Sequence, residues 1–510
     1  MKPGIHTADE FTREREKERA ADIRKTLVAV LSRPDNPTER FPDAARAVVA
    51  ALEVTGRFYF HAELRDFADA FHYSETTHRL ERVQSDAFLA WLSEWTGVNR
   101  ATRLFAFIQR EVETVALSEK RSTPVLPESY WTARNGAFYV SNGDGHAVKV
   151  TAEGVHLVDN GTDGVLFMAG ATCAPWKLLP GGGASILERS RLFTDSNIAT
   201  PEGRLLFALW LYSLPSNPKT KPVLVAVGDV GSGKTKLTKA AAVLFGIPDV
   251  TAKVEEGNEG DFWPALHAGG LFVLDNADTR CRWLPDALAA AATDGCSRRR
   301  RLYTNAENVT LRANAWCAVT SSNPAFGGDA GLADRLLVVR LERRELATAD
   351  AELLAEVAAN RDAALTHVVH TLRAALADGT PTPDGLNLRH PDFASLAVRI
   401  GRALGQGDAA LAALRAAESA KSGFCLENDG ATAALLELLR ADGSFNGSAK
   451  ALAEKLGETD EGLREWLTTK KLGKRLTAVW PHLRRVCAVA ERRHTEQGAW
   501  YEFQLEREPG

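Results

Sequence analysis

The stretch GDVGSGKT at Gly228–Thr235 decides the fold, because it fits the pattern G-x-x-x-x-G-K-[ST]. The apolar run PVLVAV precedes it and KLTKAAAVLF follows it, which predicts a strand, a glycine loop and a helix. In such a loop, backbone N–H groups and the helix N-terminus surround phosphates, the lysine reaches the outer phosphates and the threonine ligates Mg²⁺. The sequence therefore predicts binding of ATP and Mg²⁺ rather than an ordinary glycine-rich turn. The predicted ligands are Gly228, Asp229, Val230, Gly231, Ser232, Gly233, Lys234 and Thr235.

Composition limits the class of protein. The chain has 510 residues, 45% hydrophobic and 25% charged, which is enough for several domains with buried cores. Its formal net charge is −4, so any nucleic-acid site must be a local basic patch. The six cysteines form no C-x-x-C pair, which argues against a zinc site and a disulfide framework. A charged N-terminus and the lack of a long apolar run predict a cytoplasmic protein without a membrane segment.

Apolar runs recur after the glycine loop with helical segments between them. They read VLVAV, LFVLD, AWCAVT and LLVVRL. Alternation of strands and helices predicts an α/β fold with a parallel, helix-covered sheet.

Phosphoryl transfer also requires a carboxylate on the metal, a group that positions water and a cation for the transition state. Asp275 ends the run LFVLD, 41 positions after Lys234, and is predicted to ligate the metal. Asn323 follows the run AWCAVT and is predicted to hold water or sense the γ-phosphate. Arg335 precedes the last strand, from which its guanidinium would reach a phosphate bound by a neighbouring subunit.

Each of these residues has a simpler interpretation. Asp275 is alternatively a turn former at the end of a strand, and Asn323 begins a turn before Pro324. Arg335 beside Asp334 is alternatively a surface ion pair.

The ordered motifs GDVGSGKT, LFVLDN, RRLYTNAENVTL, AVTSSNP and ADRLLVVRL resemble those of the AAA+-like superfamily 3 ATPases that accompany primases in phages, plasmids and integrative elements. The resemblance covers roughly residues 130–345 and includes the β-rich stretch before the ATPase motifs. It implies a homo-oligomeric ring, most simply a hexamer, with shared ATP sites and work on DNA. A separate primase or another replication or defence partner is also implied.

Two features depart from that family. Many relatives have a second carboxylate after the metal-binding one, whereas here Asn276 follows Asp275. An amide orients water but cannot accept its proton, so we expect slow hydrolysis. Relatives that pull DNA carry Lys or His at a hairpin tip, whereas here the turn TNAE has neither. The positive charge lies at the hairpin base, as a DNA contact or a solvated basic face, in Arg298, Arg299, Arg300 and Arg301.

A second basic patch lies near the C-terminus. Residues 470–494 carry eight Lys or Arg against one Glu, on a predicted helix and hairpin. The pattern resembles the winged-helix tail of the same family, although a structural lid is an alternative. The predicted DNA contacts are Lys474, Arg475, Arg484 and Arg485.

The chain is thus predicted to have five modules. They are a helical N-terminal domain (1–118), a small β-rich module (119–186), a P-loop, AAA+-like ATPase domain (187–345), a helical lid or linker (346–430) and a winged-helix-like domain (431–510).

The predicted function is that of an ATP-dependent DNA helicase or translocase in a mobile-element primase-helicase system. The alternative is a nucleotide-switched DNA-binding or assembly ATPase, in phage defence or as a loader, with slow hydrolysis. A small-molecule kinase leaves the basic C-terminal third without a role, and a GTPase is disfavoured because no Asn-Lys-x-Asp motif follows the loop.

Overall fold

The computed structural model divides the chain into two compact units, a coarser division than the five modules predicted. Unit 1 comprises residues 1–149 and 156–177, and unit 2 comprises residues 150–155 and 178–510. The structure describes residues 8–34, 36–63, 69–169, 174–194, 197–248, 251–255, 259–278, 280–300, 308–343, 349–383, 386, 388–496 and 498–505.

Unit 1 combines four helices with two sheets. Its helices are α1 (Ala8–Leu31), α2 (Pro37–Thr55), α3 (Asp86–Thr96) and α4 (Arg103–Ala116). Its strands are β1 (Gly56–His61), β2 (Ala70–Ser74), β3 (Leu80–Arg82), β4 (Ser122–Val125), β5 (Trp131–Arg134), β6 (Ala137–Ser141), β7 (His146–Val150) and β8 (Val155–Asp159).

The first sheet of unit 1 has the order β3-β2-β1-β4, in which β4 runs parallel to β1. Helical periodicity alone predicted the first 118 residues, so β1 to β3 were missed. These strands are short and rich in aromatic residues, GRFYFH and AFHYS among them, and they pair with a strand beyond residue 118. Ile108 and Val112 of α4 pack against α2 in a core shared with Phe58.

The second sheet is a meander with the order β5-β6-β7-β8. Its first hairpin turns at Asn135 and Gly136, whose φ angles of 51° and 75° suit a two-residue turn between antiparallel strands. The β-rich stretch predicted from the Asn-Gly and Gly-Asp-Gly turns is therefore present.

Unit 2 is built on a parallel sheet covered by helices. Its strands are β9 (Val223–Gly228), β10 (Thr251–Lys253), β11 (Leu271–Asp275), β12 (Cys296–Arg300), β13 (Asn308–Arg312), β14 (Trp316–Ser321), β15 (Leu336–Leu341), β16 (Ser444–Ser448), β17 (Cys487–Thr495) and β18 (Gly498–Leu505). Its helices are α5 (Ile186–Arg189), α6 (Arg191–Thr194), α7 (Pro201–Ser213), α8 (Lys234–Phe245), α9 (Glu259–His267), α10 (Leu284–Ala291), α11 (Ala330–Ala333), α12 (Asp350–Ala359), α13 (Arg361–Ala377), α14 (Pro391–Ala403), α15 (Gly407–Glu427), α16 (Gly430–Asp442), α17 (Ala449–Thr459), α18 (Glu461–Trp466) and α19 (Thr469–Val486).

The five parallel strands have the order β10-β11-β14-β9-β15. The prediction of a parallel sheet is confirmed, since the four apolar runs form β9, β11, β14 and β15. The side chains of β14 are all buried, as expected for a strand covered by helices on both faces. Because the strands are parallel, the carboxyl ends of β9, β11 and β14 meet at one edge, which we call the carboxyl edge.

Beyond β15 the chain is helical from α12 to α16 and then alternates helices with three antiparallel strands, in the order β16-β18-β17. We call residues 430–505 the tail. Leu435 of α16, Leu452 of α17 and Leu476 of α19 share one core with Tyr501 of β18. The tail core continues into Cys425 of α15, so these elements pack as one body within unit 2.

Candidate nucleotide-binding site

The glycine loop, residues 228–235, joins β9 to α8 at the carboxyl edge. Gly233 has a φ of 87°, which an L side chain rarely adopts, and α8 begins at the next residue. At Gly228 an added Cβ would lie 2.2 Å from the carbonyl oxygen of Leu341, so only glycine fits against β15. No side chain caps the start of α8 among the described residues. Its first N–H groups therefore provide the anion-binding end of a helix.

The ammonium of Lys234 is folded back into the glycine loop. Its Nζ donates to the carbonyl oxygens of Gly228 (2.6 Å) and Asp229 (2.8 Å) and to Ser322 Oγ (3.0 Å). Burial lowers the pKa of Lys234, whereas the nearby carboxylates, Asp278 first among them, raise it. The structure therefore places the predicted lysine at the junction of β9 and β14, within the loop that it is predicted to serve.

Thr235 and Asp275 come together as predicted for a metal site. Thr235 Oγ1 donates to Asp275 Oδ1 at 2.6 Å, and Thr320 Oγ1 donates to the same oxygen at 2.6 Å. A hydroxyl and a carboxylate are oxygen donors of the type that Mg²⁺ prefers. Thr320, in β14, was missed by sequence reasoning, since its position depends on the pairing of strands far apart in the chain.

Asp278 is a second carboxylate at this edge, and it too was missed. Its Oδ1 accepts hydrogen bonds from Ser321 Oγ (2.6 Å) and from the backbone N–H groups of Ser322 (2.6 Å) and Asn323 (3.0 Å). Partial burial raises the pKa of Asp278, but these bonds and the charge of Lys234 outweigh it and lower the pKa. The spacing in LDNAD, with a second acid three positions after the first, was the available signal.

The two predicted amides lie at the same edge. Asn276 follows β11 with a φ of 57°, and its N–H donates to Thr320 Oγ1 at 3.0 Å. Asn323 lies two residues past the end of β14 and is exposed. Its backbone is held by Asp278, which leaves its carboxamide beside the Lys234–Ser322 contact. The arrangement suits a group that orients water or contacts a terminal phosphate.

Two further residues flank the glycine loop without a sequence signal. Asn197 Nδ2 donates to the carbonyl oxygen of Ser232 at 2.6 Å, and its own carbonyl accepts from the Glu342 N–H at 2.8 Å. The guanidinium of Arg343 lies near Gly231, 3.6 Å from the position of an added Cβ. Both residues come from segments beside the end of β15, so only the folded chain brings them to the loop.

Arg335 lies at the opposite edge of the parallel sheet. Its carbonyl accepts from the N–H of Val223, the first residue of β9, whereas the glycine loop follows the last. Five residues of strand, roughly 17 Å, separate these positions. Arg335 Nη1 donates to the Gly331 carbonyl, while its buried Nε has no partner among the described residues. Burial, then the charge of Arg389, lower the pKa of Arg335. Arg335 is therefore not brought to the loop of its own chain.

The arginine quartet lies only partly within the described structure. Strands β12 and β13 pair antiparallel, and Arg298 to Arg300 lie in β12. Arg301 and the turn TNAE fall outside the described residues.

The predicted DNA contacts of the tail lie on α19, and their charges differ in availability. Arg475 Nε binds Asp429 Oδ2, whose carboxylate is only 1% exposed, and this ion pair joins α19 to the start of α16. Arg485 Nη1 lies 3.8 Å from Asp334 Oδ1. Lys474 and Arg484 are exposed on the same helix. The ion pair gives Arg475 a structural role that the sequence did not reveal.

Residues 190–421 match the family model described as actinomycete integrative conjugative element replication protein. The match spans all five parallel strands and supports a replication role in a mobile element. No curated protein matches the chain significantly.

Two solved structures also match. One A form apo structure of the NrS-1 C-terminal region is 11% identical to this chain, with a TM-score of 0.39, and the match covers 90% of this chain and 98% of that one. Another of the same region is 13% identical, with a TM-score of 0.40 and the same coverage. Likeness at this level carries no functional argument.

Two searches of the described residues concern other kinds of site. None of the described helices combines the length and apolarity that crossing a bilayer requires. The same residues contain no group of three or more His, Cys, Asp or Glu side chains placed to hold a metal ion.

Proposed function

We propose that this chain is an ATP-dependent DNA helicase or translocase of the AAA+-like superfamily 3 type, acting in the replication of a mobile element. The observation that carries the proposal is the cluster at the carboxyl edge, where Lys234, Thr235 and Asp275 lie within hydrogen-bond reach of one another's loops. Ligands of parallel α/β sheets bind at this edge, near the strand from which the chain order reverses. Here that strand is β9, which lies between β14 and β15.

The residues of the cluster fit ATP with Mg²⁺. The buried Ser232 hydroxyl has no partner among the described residues, so the loop retains a donor that a phosphate oxygen would satisfy. Lys234 would exchange its loop carbonyls for the outer phosphates, and Thr235 with Asp275 would hold the metal, directly or through water. Bound Mg²⁺ supplies charge that stabilises the transferring phosphoryl group.

The polar residues after β11 and β14 would position the attacking water. Asn323 and Asn276 offer amides, which orient a water molecule without taking its proton. Asp278 holds the Asn323 backbone through hydrogen bonds of 2.6–3.0 Å to this turn. We assign Asp278 to the positioning of Asn323, because its lowered pKa and occupied oxygen suit it poorly to accept a proton.

A ring assembly would complete the site. Arg335 lies too far from its own glycine loop to reach a phosphate there, yet its buried Nε lacks a partner among the described residues. A neighbouring subunit's nucleotide would provide that partner, as an arginine finger acting in trans requires. We therefore propose a homo-oligomeric ring, most simply a hexamer.

The tail supports the DNA-binding part of the proposal. Its order of helix, strand, three helices and two strands, with a three-stranded antiparallel sheet, suits a winged helix in which α19 is the recognition helix and β17–β18 form the wing. The exposed Lys474 and Arg484 would contact DNA phosphates.

A nucleotide-switched DNA-binding or assembly ATPase is the second candidate. It is favoured by Asn276, which stands where a second carboxylate would activate water, and by the hydrogen-bonded state of Asp278. In this case ATP binding changes the conformation and hydrolysis is slow.

The deciding experiment is an ATPase assay with and without single-stranded DNA, with Lys234→Ala as the background. Turnover that rises strongly with DNA would support the helicase. Tight ATP binding with slow turnover that DNA does not change would support the switch. Absence of ATP binding by the wild-type chain would overturn both candidates.

A further inference from the structure

A cleft of about 540 Å³ lies between the parallel-sheet core and the tail, within unit 2. One wall comes from the segment after β11 and from the turn after β14, which contributes Phe326. The other wall comes from the beginning of α16 and from α18 and α19. This volume lies within the roughly 300–1,000 Å³ of sites that hold small organic groups. It is separate from the Lys234–Asp275 cluster, whose residues do not line it.

The cleft is lined by an exposed aromatic ring. Trp466, the last residue of α18, is 42% exposed, although its neighbour Leu467 is buried in the tail core. Lys471 Nζ lies 5.5 Å from the centroid of the indole ring. An indole has two faces, and an ammonium covers only part of one. Exposed ring surface beside a cation is the combination on which unpaired bases stack in proteins that bind single strands.

The charge of the lining is positive. Four basic side chains face two acidic ones, namely Arg280, Arg282, Lys471 and Arg475 against Asp329 and Asp429. Both acids are engaged within the protein. Asp429 binds Arg475, and Asp329 accepts the Leu332 N–H at 2.9 Å at the start of α11. The cleft therefore presents a net positive potential around Trp466, which favours an anionic chain.

We propose that this cleft binds single-stranded DNA, with one base stacked on Trp466 and the adjoining phosphates on Arg280, Arg282 and Lys471. A duplex keeps its bases within the stack, so a single side chain on a cleft wall selects an unpaired base. The proposal takes DNA as the ligand from the proposed function, but the site lies away from the exposed Lys474 and Arg484 of the proposed winged helix, which do not line it.

The cleft is connected to the candidate nucleotide site through two short segments. Arg280 follows Asp278 by two positions, and Phe326 follows Asn323 by three. Asp278 in turn holds the backbone of Asn323. A strand that moves either wall therefore acts on the two residues that we assign to positioning water. Stimulation of ATP turnover by single-stranded DNA is expected to depend on this cleft.

The test measures binding of a fluorescein-labelled 20-nucleotide oligothymidylate and of a hairpin duplex to the full chain without nucleotide. Trp466→Ala is expected to weaken oligothymidylate binding roughly 5- to 100-fold, the range for one stacked base. Duplex binding is expected to change little. Trp466→Phe should retain much of the single-strand affinity, which separates stacking from a folding defect. Lys450→Ala, on the exposed face of α17, is the control and should bind like the wild type.

Charge is tested separately. Arg280→Gln combined with Lys471→Gln should reduce the slope of log K against log salt by about 1.4 for the single strand, because each lost phosphate contact contributes about 0.7. Equal oligothymidylate affinity in wild type, Trp466→Ala and the double variant, all folded by circular dichroism, would overturn the cleft proposal. Since no ATP is present, that result would leave the ATPase proposal standing. Loss of ATP binding with normal Trp466-dependent DNA binding would do the reverse.

Discussion

Lys234 shows what a single residue contributes at the carboxyl edge. Its ammonium is held by two loop carbonyls and by Ser322 of the neighbouring strand end, so the same group joins the glycine loop to the turn that carries Asn323. A bound phosphate would compete for this ammonium. The nucleotide is thereby expected to alter the contact between loop and turn.

Lys234→Ala is expected to abolish ATP binding, because it removes the cation facing the outer phosphates and the glycine loop has no other lysine. Isothermal titration calorimetry measures the affinity directly. Lys239→Ala, on the same helix, is the matched control and should bind ATP normally. An unchanged affinity in Lys234→Ala would show that the loop does not bind phosphate.

Asp278→Asn is expected to lower kcat while leaving KM for ATP nearly unchanged. The amide is a weaker acceptor for the Ser322 and Asn323 N–H groups and lacks the charge that faces Lys234. A displaced Asn323 would cost roughly 10- to 100-fold in turnover. Steady-state kinetics separate the two parameters, and Asp286→Asn on α10 serves as the control. Wild-type kcat in Asp278→Asn would exclude the positioning role.

The sequence predicted the residues of this edge unevenly, for physical reasons. The spacing of the glycine loop and the apolar run before Asp275 made Lys234, Thr235 and Asp275 predictable. Asn197 and Thr320 have no such pattern, since each reaches the site through contacts between distant segments. Whether any of them acts in catalysis stays a prediction.

At the scale of elements, long apolar runs were predicted well and short strands were not. Strands β9 and β14 are continuous and fully buried, which gives an unambiguous pattern. Strand β10 has three residues, TAK, and β16 reads SFNGS, so neither has enough apolar side chains to stand out. Their places in the sheets are set by pairing with neighbours rather than by local composition.

Helix α19 carries a prediction for duplex DNA. Lys474→Ala with Arg484→Ala should weaken binding alike for different sequences and reduce the slope of log K against log salt by about 1.8, since each phosphate contact contributes about 0.9. Arg475 is excluded from this set because its loss would leave Asp429 buried without a partner. Fluorescence anisotropy at several salt concentrations gives the slope. An unchanged slope would point to a docking role for α19.

Strand β2 carries a prediction on pH. His72 is buried, its Nε2 bonds to the Leu52 carbonyl, and burial lowers its pKa to about 4. The unfolded chain therefore binds more protons between pH 6.5 and 4, and stability is lost as the pH falls through this range, by about 3 kcal/mol in all. Urea unfolding of wild type and His72→Phe should show a shallower pH slope for the variant. His156→Phe, at an exposed site, should keep the wild-type slope, and identical slopes for all three would contradict the prediction.

At the scale of the whole molecule, the proposed function depends on subunits sharing a site. Arg335→Ala is expected to lower ATP hydrolysis by roughly 10³-fold or more if the guanidinium acts in trans. An excess of Lys234→Ala subunits mixed with Arg335→Ala subunits should restore part of the hydrolysis, because each variant supplies the half-site that the other lacks. Failure to recover activity in verified mixed rings would place Arg335 within its own subunit or in a structural role.

The ion pair between Arg475 and Asp429 has a consequence for how related chains diverge. Because the carboxylate is buried and the guanidinium is its partner, a change at either position alone leaves an uncompensated charge inside the tail. Single-step drift is then blocked, whereas a paired change to two well-packed apolar residues is tolerated. Natural variants are expected to keep both residues or to replace both, so the history of one position constrains the other across lineages.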